Sequence, residues 1–360
     1  MGDKIKDWLI KMVDSCFWGY SEKLKHEQLA KIEIKPFRNL ECKFQELEVN
    51  KSYISDNKKW EHKEEVIKII EPCIIEPVYA NVLFNFNHIY SNSVFYSTLK
   101  PSVPKYLKTL FFSDFTELDE SIIFDGGVGT NYFHFFSDIF SKLWMLEKYN
   151  IKLSIPLLID THTYHTKYFQ YLLKNTEISS YNWHLMKKHV KSKITYILRP
   201  LPYSFEYFNK TKNFLIRSIQ KKQFHERIFL NRSVSSGRYI ENFTEVEKIL
   251  KKYDFQIFNT NKIPLNEQIS LFNGAKIIIS IHGASNTNLI FSERGAKFLE
   301  ISPQNRISCH YYWLSSVLNV EYNVILGGCL PYIRIYPEKG FTLDPLKLEN
   351  YILEFLSITK

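Results

Sequence analysis

The sequence predicts an α/β protein of two domains, and three observations support this fold class. At 360 residues the chain is longer than a single hydrophobic core usually accommodates. From Arg227 to Leu326, short apolar runs alternate with amphipathic segments, as they do in doubly wound α/β domains. Within that region, Lys276–Ser302 contains an apolar run, a sharp turn, a short helix and a second strand. Such a βαβ unit requires parallel strands and a right-handed crossover.

Composition excludes several classes of protein. Hydrophobic residues make up 45% of the chain and aromatic residues 16%, which excludes a disordered chain. No run approaches the ~18 apolar residues of a membrane span, and no apolar signal segment follows Met1. The five cysteines are scattered without metal-binding or disulfide spacing. We therefore expect a cytoplasmic protein, with a peripheral position at the inner face of the membrane as the open alternative.

A formal charge of +9 favours an acidic partner, which includes nucleic acid, anionic lipid and phosphorylated small molecules. The sequence has few Arg-rich or Gly/aromatic repeats of the kind that RNA-binding modules carry, and it lacks their stacking motifs. We therefore expect no nucleic-acid partner.

Before residue 100 the predicted elements are short. The apolar side chains of Lys4–Phe17 share one helical face, which fits either an interfacial membrane helix or a helix packed on its own domain. Strands are predicted at Ile32–Ile34 and Val66–Ile70, with a charged loop or linker at Asp56–Glu65. Asn81–Tyr96 has the pattern of a β-hairpin.

The segment Ile122–Lys148 combines a strand, a glycine-rich turn and a helix. Its glycines lack the dinucleotide-binding spacing, and Thr130 or Asn131 is expected to cap the helix. In the helix, His134 and Asp138 lie one turn apart on the same face. Such a pair near a strand end can serve as a general base, and the alternative is an ordinary surface pair.

Four further elements are predicted in the first half: strand Ser154–Asp160, helix Tyr164–Leu173, strand Ile194–Leu198 and a polar hinge at Asn209–Asn213. His162 and His165 have a spacing that can bind a metal, but no third ligand follows in register. No metal site is therefore predicted.

The second half alternates regularly between strands and helices. The predicted strands are Arg227–Asn231, Phe255–Phe258, Lys297–Ile301 and Tyr322–Leu326, and the predicted helices are Asn242–Tyr253, Pro264–Phe272, Cys309–Leu318 and Leu346–Leu356. Asn242 and Glu245 have the spacing of a capping box, which predicts where the first of these helices begins.

Two turns at strand ends have the chemistry of a phosphate site. Arg232 and Arg238 flank a serine-rich loop, and two guanidinium groups there can bind phosphate bidentately. The Gly283–Ala284 turn lets the backbone approach a ligand, and the N–H groups that open the next helix favour an anion. The alternatives are a solvated basic loop and an ordinary turn between a strand and a helix.

These residues together resemble glycosyltransferase family 61. The resemblance spans roughly residues 120 to 305 and rests on motifs that occur in the family's order. They are Asn131-Tyr132-x-His134 with Asp138, Arg232-x-Ser-x-x-x-Arg238, Ile240-x-Asn242-x-x-Glu245, Glu267-Gln268, Leu271-Phe272, Ala275, His282-Gly283-Ala284, Asn288, Phe291 and Leu299-Glu300-Ile301. The resemblance implies a GT-B fold, with two Rossmann-like domains facing across a cleft, and transfer of a sugar from a nucleotide donor, usually UDP-linked, with inversion.

The resemblance also implies roles for the site residues. The base is His134 or Asp138, and Asn131 lies in the acceptor site or the cleft. The donor is bound by Arg232, Arg238, His282, Gly283, Ala284, Asn288 and Glu300, the last of which is suited to a ribose diol. The sequence has no Asp-x-Asp motif, so we expect neither a metal nor another cofactor.

We expect residues 1–210 to form the acceptor-binding domain, 211–335 the donor-binding domain, and 336–360 a closing helix. The expected partners are a nucleotide sugar and a glycan or lipid-linked acceptor in polysaccharide assembly. Two alternatives of other classes remain: a nucleotide-sugar-binding protein without catalysis, and a basic adaptor at a membrane or nucleic acid.

Overall fold

The computed structural model describes residues 17–21, 25–34, 62–83, 87–91, 101–112, 114–219, 224–305, 308–330 and 339–357. The described chain forms two compact units, one ending at Pro202 and the other beginning at Tyr203. The amphipathic segment predicted before Phe17 lies outside the described residues, apart from Phe17 itself. So do the first six residues of the charged linker predicted at Asp56–Glu65, whereas its last four belong to a strand.

The first unit contains a mixed sheet of ten described strands. They are β1 (Gly19–Ser21), β2 (His26–Ile34), β3 (His62–Ile69), β4 (Cys73–Ile75), β5 (Val82–Leu83), β6 (His88–Tyr90), β7 (Thr116–Ile123), β8 (Leu157–Asp160), β9 (Trp183–Met186) and β10 (Val190–Arg199). Strands β10, β7, β8 and β9 run parallel in that order, while β2 to β5 add antiparallel pairs. The expected Rossmann-like pattern is therefore limited to the β10-β7-β8-β9 part. The antiparallel β5-β6 pair agrees with the hairpin predicted at Asn81–Tyr96, of which residues 84–86 and 92–96 lie outside the described residues.

In chain order, the helices of the first unit lie between β6 and β9. They are α1 (Val103–Phe112), α2 (Tyr132–His134), α3 (Ser141–Lys148), α4 (Thr161–Tyr164) and α5 (Lys167–Asn175). A π-helical turn, Phe135–Ile139, joins α2 to α3. The core is made by side chains from both groups of strands, among them Ile67, Ile75 and Leu158.

The second unit has a fully parallel sheet of five described strands. They are β11 (Arg227–Leu230), β12 (Gln256–Phe258), β13 (Ile277–Ile281), β14 (Lys297–Pro303) and β15 (Glu321–Gly327), in the order β12-β11-β13-β14-β15. Its α-helices are α6 (Phe205–Arg217), α7 (Phe243–Lys252), α8 (Leu265–Gly274), α9 (His310–Leu318) and α10 (Pro345–Ser357). Ile277–Ile281 is buried along its whole length, as a central parallel strand must be. The doubly wound pattern predicted for this half is confirmed.

Two local predictions need correction. The polar run Asn209–Asn213, expected as a hinge, lies inside α6, where Thr211 is buried and Ser204 caps the helix. The predicted division after residue 210 thus falls within a helix of the second unit. Asn242 does not cap α7 with its side chain; its amide instead pairs with the backbone N–H and C=O of Leu343.

Within the part of the chain that the structure describes, no helix combines the length and the apolar character that a membrane crossing requires.

Candidate active site

The glycine-rich turn after β7 is organised by a buried carboxylate. Asp125 Oδ1 accepts hydrogen bonds from the backbone N–H groups of Val128 and Gly129, each at 3.3 Å. A Cβ at Gly126 would overlap the carbonyl oxygen of Tyr79, so this position admits only glycine. The turn therefore fixes where α2 begins.

Asn131 precedes α2, which ends with His134, and Asp138 follows in the π-helical turn Phe135–Ile139. The Asn131 side chain accepts from the Phe133 N–H at 2.9 Å, which confirms Asn131 as the cap. His134 Nδ1 donates to Asp138 Oδ2 at 2.7 Å, and Ser137 Oγ donates to Asp138 Oδ1 at 2.8 Å. The His134 and Asp138 side chains keep 28% and 18% of their surface exposed. Because Nδ1 carries the proton that Asp138 accepts, the basic lone pair lies on Nε2.

The π-helical turn anchors this pair to the core. Phe135, Phe136, Ile139 and Phe140 are fully buried, and the Phe140 N–H reaches back to the Phe135 carbonyl oxygen at 2.7 Å. Short π-helical turns are frequent at functional sites. The buried aromatic face leaves His134 and Asp138 on the opposite, accessible face.

Lys142 is a buried residue of this cluster that the sequence analysis did not single out. Its Nζ donates to the carbonyl oxygens of Phe124, at 2.7 Å, and Ile123, at 3.2 Å, at the end of β7. Burial lowers the pKa of Lys142 to about 8, against the opposing charges of Asp125 and Asp138. The sequence does hold a sign that Lys142 is buried: it lies one turn after Ile139, on the apolar face of the helix.

Asp125 makes stability depend on pH. Burial, and then the neighbouring carboxyl of Asp160, raise the pKa of Asp125 from its ordinary value of 3.8 to about 7. Between these two pH values the folded protein therefore binds more protons than the unfolded chain. The contribution of Asp125 to the free energy of unfolding falls as pH rises from about 4 to about 7. We expect Asp125→Asn, compared with the wild type, to be relatively more stable at about pH 8 than at about pH 5. Urea unfolding at both pH values measures this, and an equal difference at both would contradict it.

In the second unit, the Arg232 side chain hydrogen-bonds both to its own loop and to the turn after β13. Its Nε donates to the Gly237 carbonyl oxygen at 2.8 Å, Nη2 to Ser236 at 2.6 Å, and Nη1 to His282 at 3.4 Å. A Cβ at Gly283 would overlap the guanidinium group, although the backbone of Gly283 is extended and unstrained. Glycine is therefore required here to leave room for Arg232.

Arg232 carries a largely desolvated charge. Its pKa is lowered to about 10, first by burial and then by the like charge of Arg238. Within the described residues it forms no ion pair with a carboxylate. Arg238 itself has a left-handed backbone and its N–H donates to the Lys339 carbonyl oxygen at 2.8 Å. Two arginines are thus held close together at the carboxyl end of β11.

His282 and Glu300 form a pair at the carboxyl ends of β13 and β14. His282 Nδ1 donates to Glu300 Oε1 at 2.5 Å, and Tyr322 Oη donates to Glu300 Oε2 at 2.7 Å. Glu300 is 1% exposed. The sequence predicted that Glu300 faces a ribose, whereas the structure places both of its oxygens against partners inside the domain. The His282 Nε2 atom has no hydrogen-bond partner among the described residues.

Asn288 and Ala284 lie in the 3₁₀-helix Ala284–Phe291, which takes the place of the short helix predicted after the turn of Lys276–Ser302. Asn288 is fully buried and its amide donates to Gln268 at 2.9 Å. The Ala284 carbonyl oxygen accepts from Thr287 at 2.7 Å. The hydrogen bonds of these two residues therefore stabilise the turn inside the domain.

Sequence reasoning missed two tyrosines at this site. Tyr322 is the second donor to Glu300, and the Tyr311 ring meets the His282 ring edge to face at 5.4 Å. Burial and the charge of Glu300 raise the pKa of Tyr311. Neither tyrosine belongs to a motif: the fold brings Tyr311, on α9, to His282 and Tyr322, on β15, to Glu300.

His162 and His165, considered for a metal, are both exposed. Among the residues that the structure describes, no group of three or more histidine, cysteine, aspartate or glutamate side chains is placed to hold a metal ion.

In a comparison with protein families, residues 132–299 match the family model described as Glycosyltransferase 61. No curated protein matches the chain. The matched span begins at α2 and ends in β14, and it contains His134, Asp138, Arg232 and His282. The resemblance stated from the sequence is thereby confirmed: residues 132–299 match the model of glycosyltransferase family 61.

Proposed function

We propose that this glycosyltransferase moves a sugar from a UDP-linked donor to a glycan or lipid-linked acceptor, with inversion and without a metal. The proposal includes the GT-B arrangement of two Rossmann-like domains facing across a cleft, with donor binding in the second domain. It also includes a cytoplasmic location and a role in polysaccharide assembly. These finer points rest on the family resemblance, and the geometry of the two residue clusters supports the site assignments.

The observation that carries the donor site is the uncompensated charge of Arg232. A desolvated guanidinium group beside a second arginine is unfavourable without an anion, because like charges repel and water is excluded. A diphosphate supplies the missing negative charge. The N–H groups that Arg232 does not use for backbone carbonyls, together with Arg238, suit phosphate oxygens.

His282 completes this anion site. With Nδ1 donating to Glu300, Nε2 is the ring nitrogen left for the sugar donor: it accepts from a sugar hydroxyl group, and it donates to a phosphate oxygen when both ring nitrogens carry a proton. Glu300 and Tyr322 hold the ring in one orientation, so Glu300 acts as a positioning residue for His282. Such fixed donors stabilise the charge that grows on the departing diphosphate.

The base belongs to the first unit. An acceptor hydroxyl must lose its proton as it attacks the anomeric carbon, and His134 Nε2 takes that proton while Asp138 stabilises the charged ring. The acceptor oxygen forms the new bond as the bond to the diphosphate breaks on the opposite face. Inversion follows from this single displacement.

Turnover of a panel of nucleotide sugars tests the proposal. The purified chain is incubated with UDP-linked hexoses, N-acetylhexosamines and pentoses, with water as the acceptor, and the released nucleoside diphosphate is measured. We expect slow hydrolysis of at least one UDP-sugar. A binding protein without catalysis would be stabilised thermally by a UDP-sugar without releasing UDP, and a basic adaptor would show neither effect.

Metal independence gives a separate expectation. Nucleotide-sugar transferases that use Mg²⁺ or Mn²⁺ hold the ion with carboxylates beside the diphosphate, because hard cations prefer oxygen ligands. Here the diphosphate charge is met by Arg232, Arg238 and His282. We expect the rate of UDP release to survive excess EDTA and to change little when Mn²⁺ is added. Loss of activity in EDTA that Mn²⁺ restores would contradict this account of the leaving group.

A further inference from the structure

The sheet of the second unit has a topological switch point between β11 and β13. The chain leaves β11 for β12 on one side of this point and leaves β13 for β14 on the other, so the connections after the two neighbouring strands diverge. In doubly wound sheets a ligand binds in the crevice that this divergence opens. Arg232, which joins the loop after β11 to the turn after β13, lies at this crevice. A diphosphate held by Arg232 therefore leaves two directions for the nucleoside, toward β12 or toward β14.

The direction toward β14 is occupied by side chains of the domain itself. Tyr311 is 4% exposed and packs its ring against His282, while both carboxylate oxygens of Glu300 accept from partners inside the domain. Asn305, which follows β14, uses both ends of its amide: Nδ2 donates to the Leu330 carbonyl oxygen at 2.8 Å, and Oδ1 accepts from the Leu330 N–H at 2.9 Å. The polar groups of Glu300 and Asn305 are thus already paired.

The direction toward β12 presents an accessible polar loop. Strand β12 ends at Phe258, and the 3₁₀ turn Thr260–Lys262 follows it. Asn259 caps this turn, because its side chain accepts from the Asn261 N–H at 3.1 Å. Asn261 is exposed, and its Oδ1 accepts no hydrogen bond from the described residues. In Rossmann folds the residue that contacts the ribose lies near the end of the second strand, which is β12 in this domain.

Hydrogen bonds join this loop directly to the phosphate site. Asn261 Nδ2 donates to Ser236 Oγ at 2.9 Å, and the Ser236 carbonyl oxygen accepts from Arg232 Nη2 at 2.6 Å. One residue thus separates the Asn261 amide from the Arg232 guanidinium group. The base and the diphosphate of one nucleotide can therefore reach both groups at once.

Gln268 of α8 fixes the loop from its other side. Its Nε2 donates to the carbonyl oxygens of Thr260 and Ile263, each at 3.0 Å, and its Oε1 accepts from Asn288 Nδ2 at 2.9 Å. Asn288 belongs to the 3₁₀-helix that follows the turn at Gly283. The loop after β12 and the turn after β13 are therefore held in one arrangement before a ligand binds, which lowers the ordering cost of binding.

The chemistry of the loop suits the edge of a base. An asparagine amide offers a donor and an acceptor side by side, and the edge of uracil presents an N–H group beside a carbonyl oxygen. Val234, in the same loop as Ser236, is 61% exposed and supplies an apolar side chain for the face of a base. Asn259–Lys262 contains no carboxylate that would repel a nucleotide.

We propose that the loop Asn259–Lys262 binds the nucleoside of the sugar donor, and that the Asn261 amide recognises the edge of its base. The inference rests on the proposed function, because it places the nucleoside beside the same phosphate site. It makes Asn261 a specificity-determining residue, whereas Arg232 binds the phosphates of any nucleoside diphosphate.

Calorimetric titration of the full chain with UDP, CDP, GDP and ADP measures this division of roles, because these nucleotides share their phosphates and differ in the base. We expect the wild type to bind UDP most tightly. Asn261→Leu keeps nearly the same side-chain size without the amide, and it should lose roughly tenfold in UDP affinity while binding the other three almost unchanged. Arg232→Met should weaken the binding of all four nucleotides alike.

Two variants separate base recognition from a change in the loop. Ser236→Ala removes the hydrogen bond to Asn261 but keeps the amide and the backbone carbonyl, so it should retain the preference for UDP. Asn305→Ala changes an exposed asparagine after β14, in the opposite direction, and should also retain it. The proposal is overturned if Asn261→Leu keeps the wild-type preference, or if Ser236→Ala or Asn305→Ala loses it to the same degree. It is also overturned if the wild type binds all four nucleotides equally or binds none.

Hydrolysis of a UDP-sugar separates this inference from the proposed function. If Asn261→Leu loses the preference for UDP but the wild type hydrolyses no UDP-sugar, the transferase proposal fails and the nucleoside site stands. If the wild type hydrolyses a UDP-sugar and Asn261→Leu binds UDP as tightly as the wild type, the transferase proposal stands and the nucleoside site fails.

Discussion

Replacing His134 by alanine is expected to reduce sugar transfer by roughly 10²–10⁴-fold while leaving the affinity for UDP nearly unchanged. The imidazole is held by Asp138 at 2.7 Å with its basic nitrogen at Nε2, so its loss removes the group that takes the acceptor proton. UDP affinity should survive because the donor site is built from residues of the second unit. Initial rates at saturating donor and calorimetric titration of UDP measure the two effects separately.

His165→Ala is the matched control, since His165 is an exposed histidine of the same unit with no assigned role. Asp138→Asn is expected to lower the rate as well, because a neutral amide stabilises the charged imidazole less than a carboxylate does. Near wild-type turnover in His134→Ala would show that His134 is not the base. If Asp138→Asn alone abolished transfer, Asp138 itself would be the base.

Replacing Gly283 by alanine is expected to weaken UDP binding by roughly tenfold or more. A methyl group at this position overlaps the Arg232 guanidinium, which must then leave its hydrogen bonds to Ser236, Gly237 and His282. The arginine side chain is flexible, so the fold should persist while the phosphate site is lost. Calorimetric titration of UDP, with thermal unfolding recorded in parallel, distinguishes these two outcomes.

Gly274→Ala provides the control, because a Cβ there meets nothing within 4 Å. This variant should bind UDP as the wild type does. Arg232→Met should reproduce the loss seen in Gly283→Ala, since both remove the guanidinium from its place. Unchanged UDP affinity in Gly283→Ala and Arg232→Met would rule out Arg232 as a donor-binding residue.

The elements that the sequence predicted well are those specified by neighbours along the chain. The strands Ile277–Ile281 and Lys297–Pro303 are continuous apolar or buried runs, and the cap at Asn131 depends on an N–H two residues away. The His134–Asp138 contact also follows from helical spacing. Such features need only local geometry, which periodicity and turn chemistry encode.

The features that the sequence could not predict depend on residues far apart in the chain. Asn242 binds Leu343, which is 101 positions away, so the local capping box does not form. Glu300 is held by Tyr322 from the adjacent strand, a partner that no motif marks. Arg232 reaches the turn at His282 only because β11 and β13 are neighbours in the sheet. Strand order decides each of these contacts, and composition does not encode it.

Local sequence patterns also could not predict that β3 and β4 pair antiparallel with β10. Strands β3 and β4 both pair with β10 from opposite halves of its length, which makes the sheet mixed. Short apolar runs predict strands but not their direction.

A crystal structure of the protein soaked with UDP in the presence of EDTA tests the central claim most directly. The account predicts that the diphosphate lies within hydrogen-bonding distance of the Arg232 or Arg238 guanidinium and of His282 Nε2, with no metal ion. A diphosphate bound elsewhere, or bound only after a divalent metal is added, would contradict it.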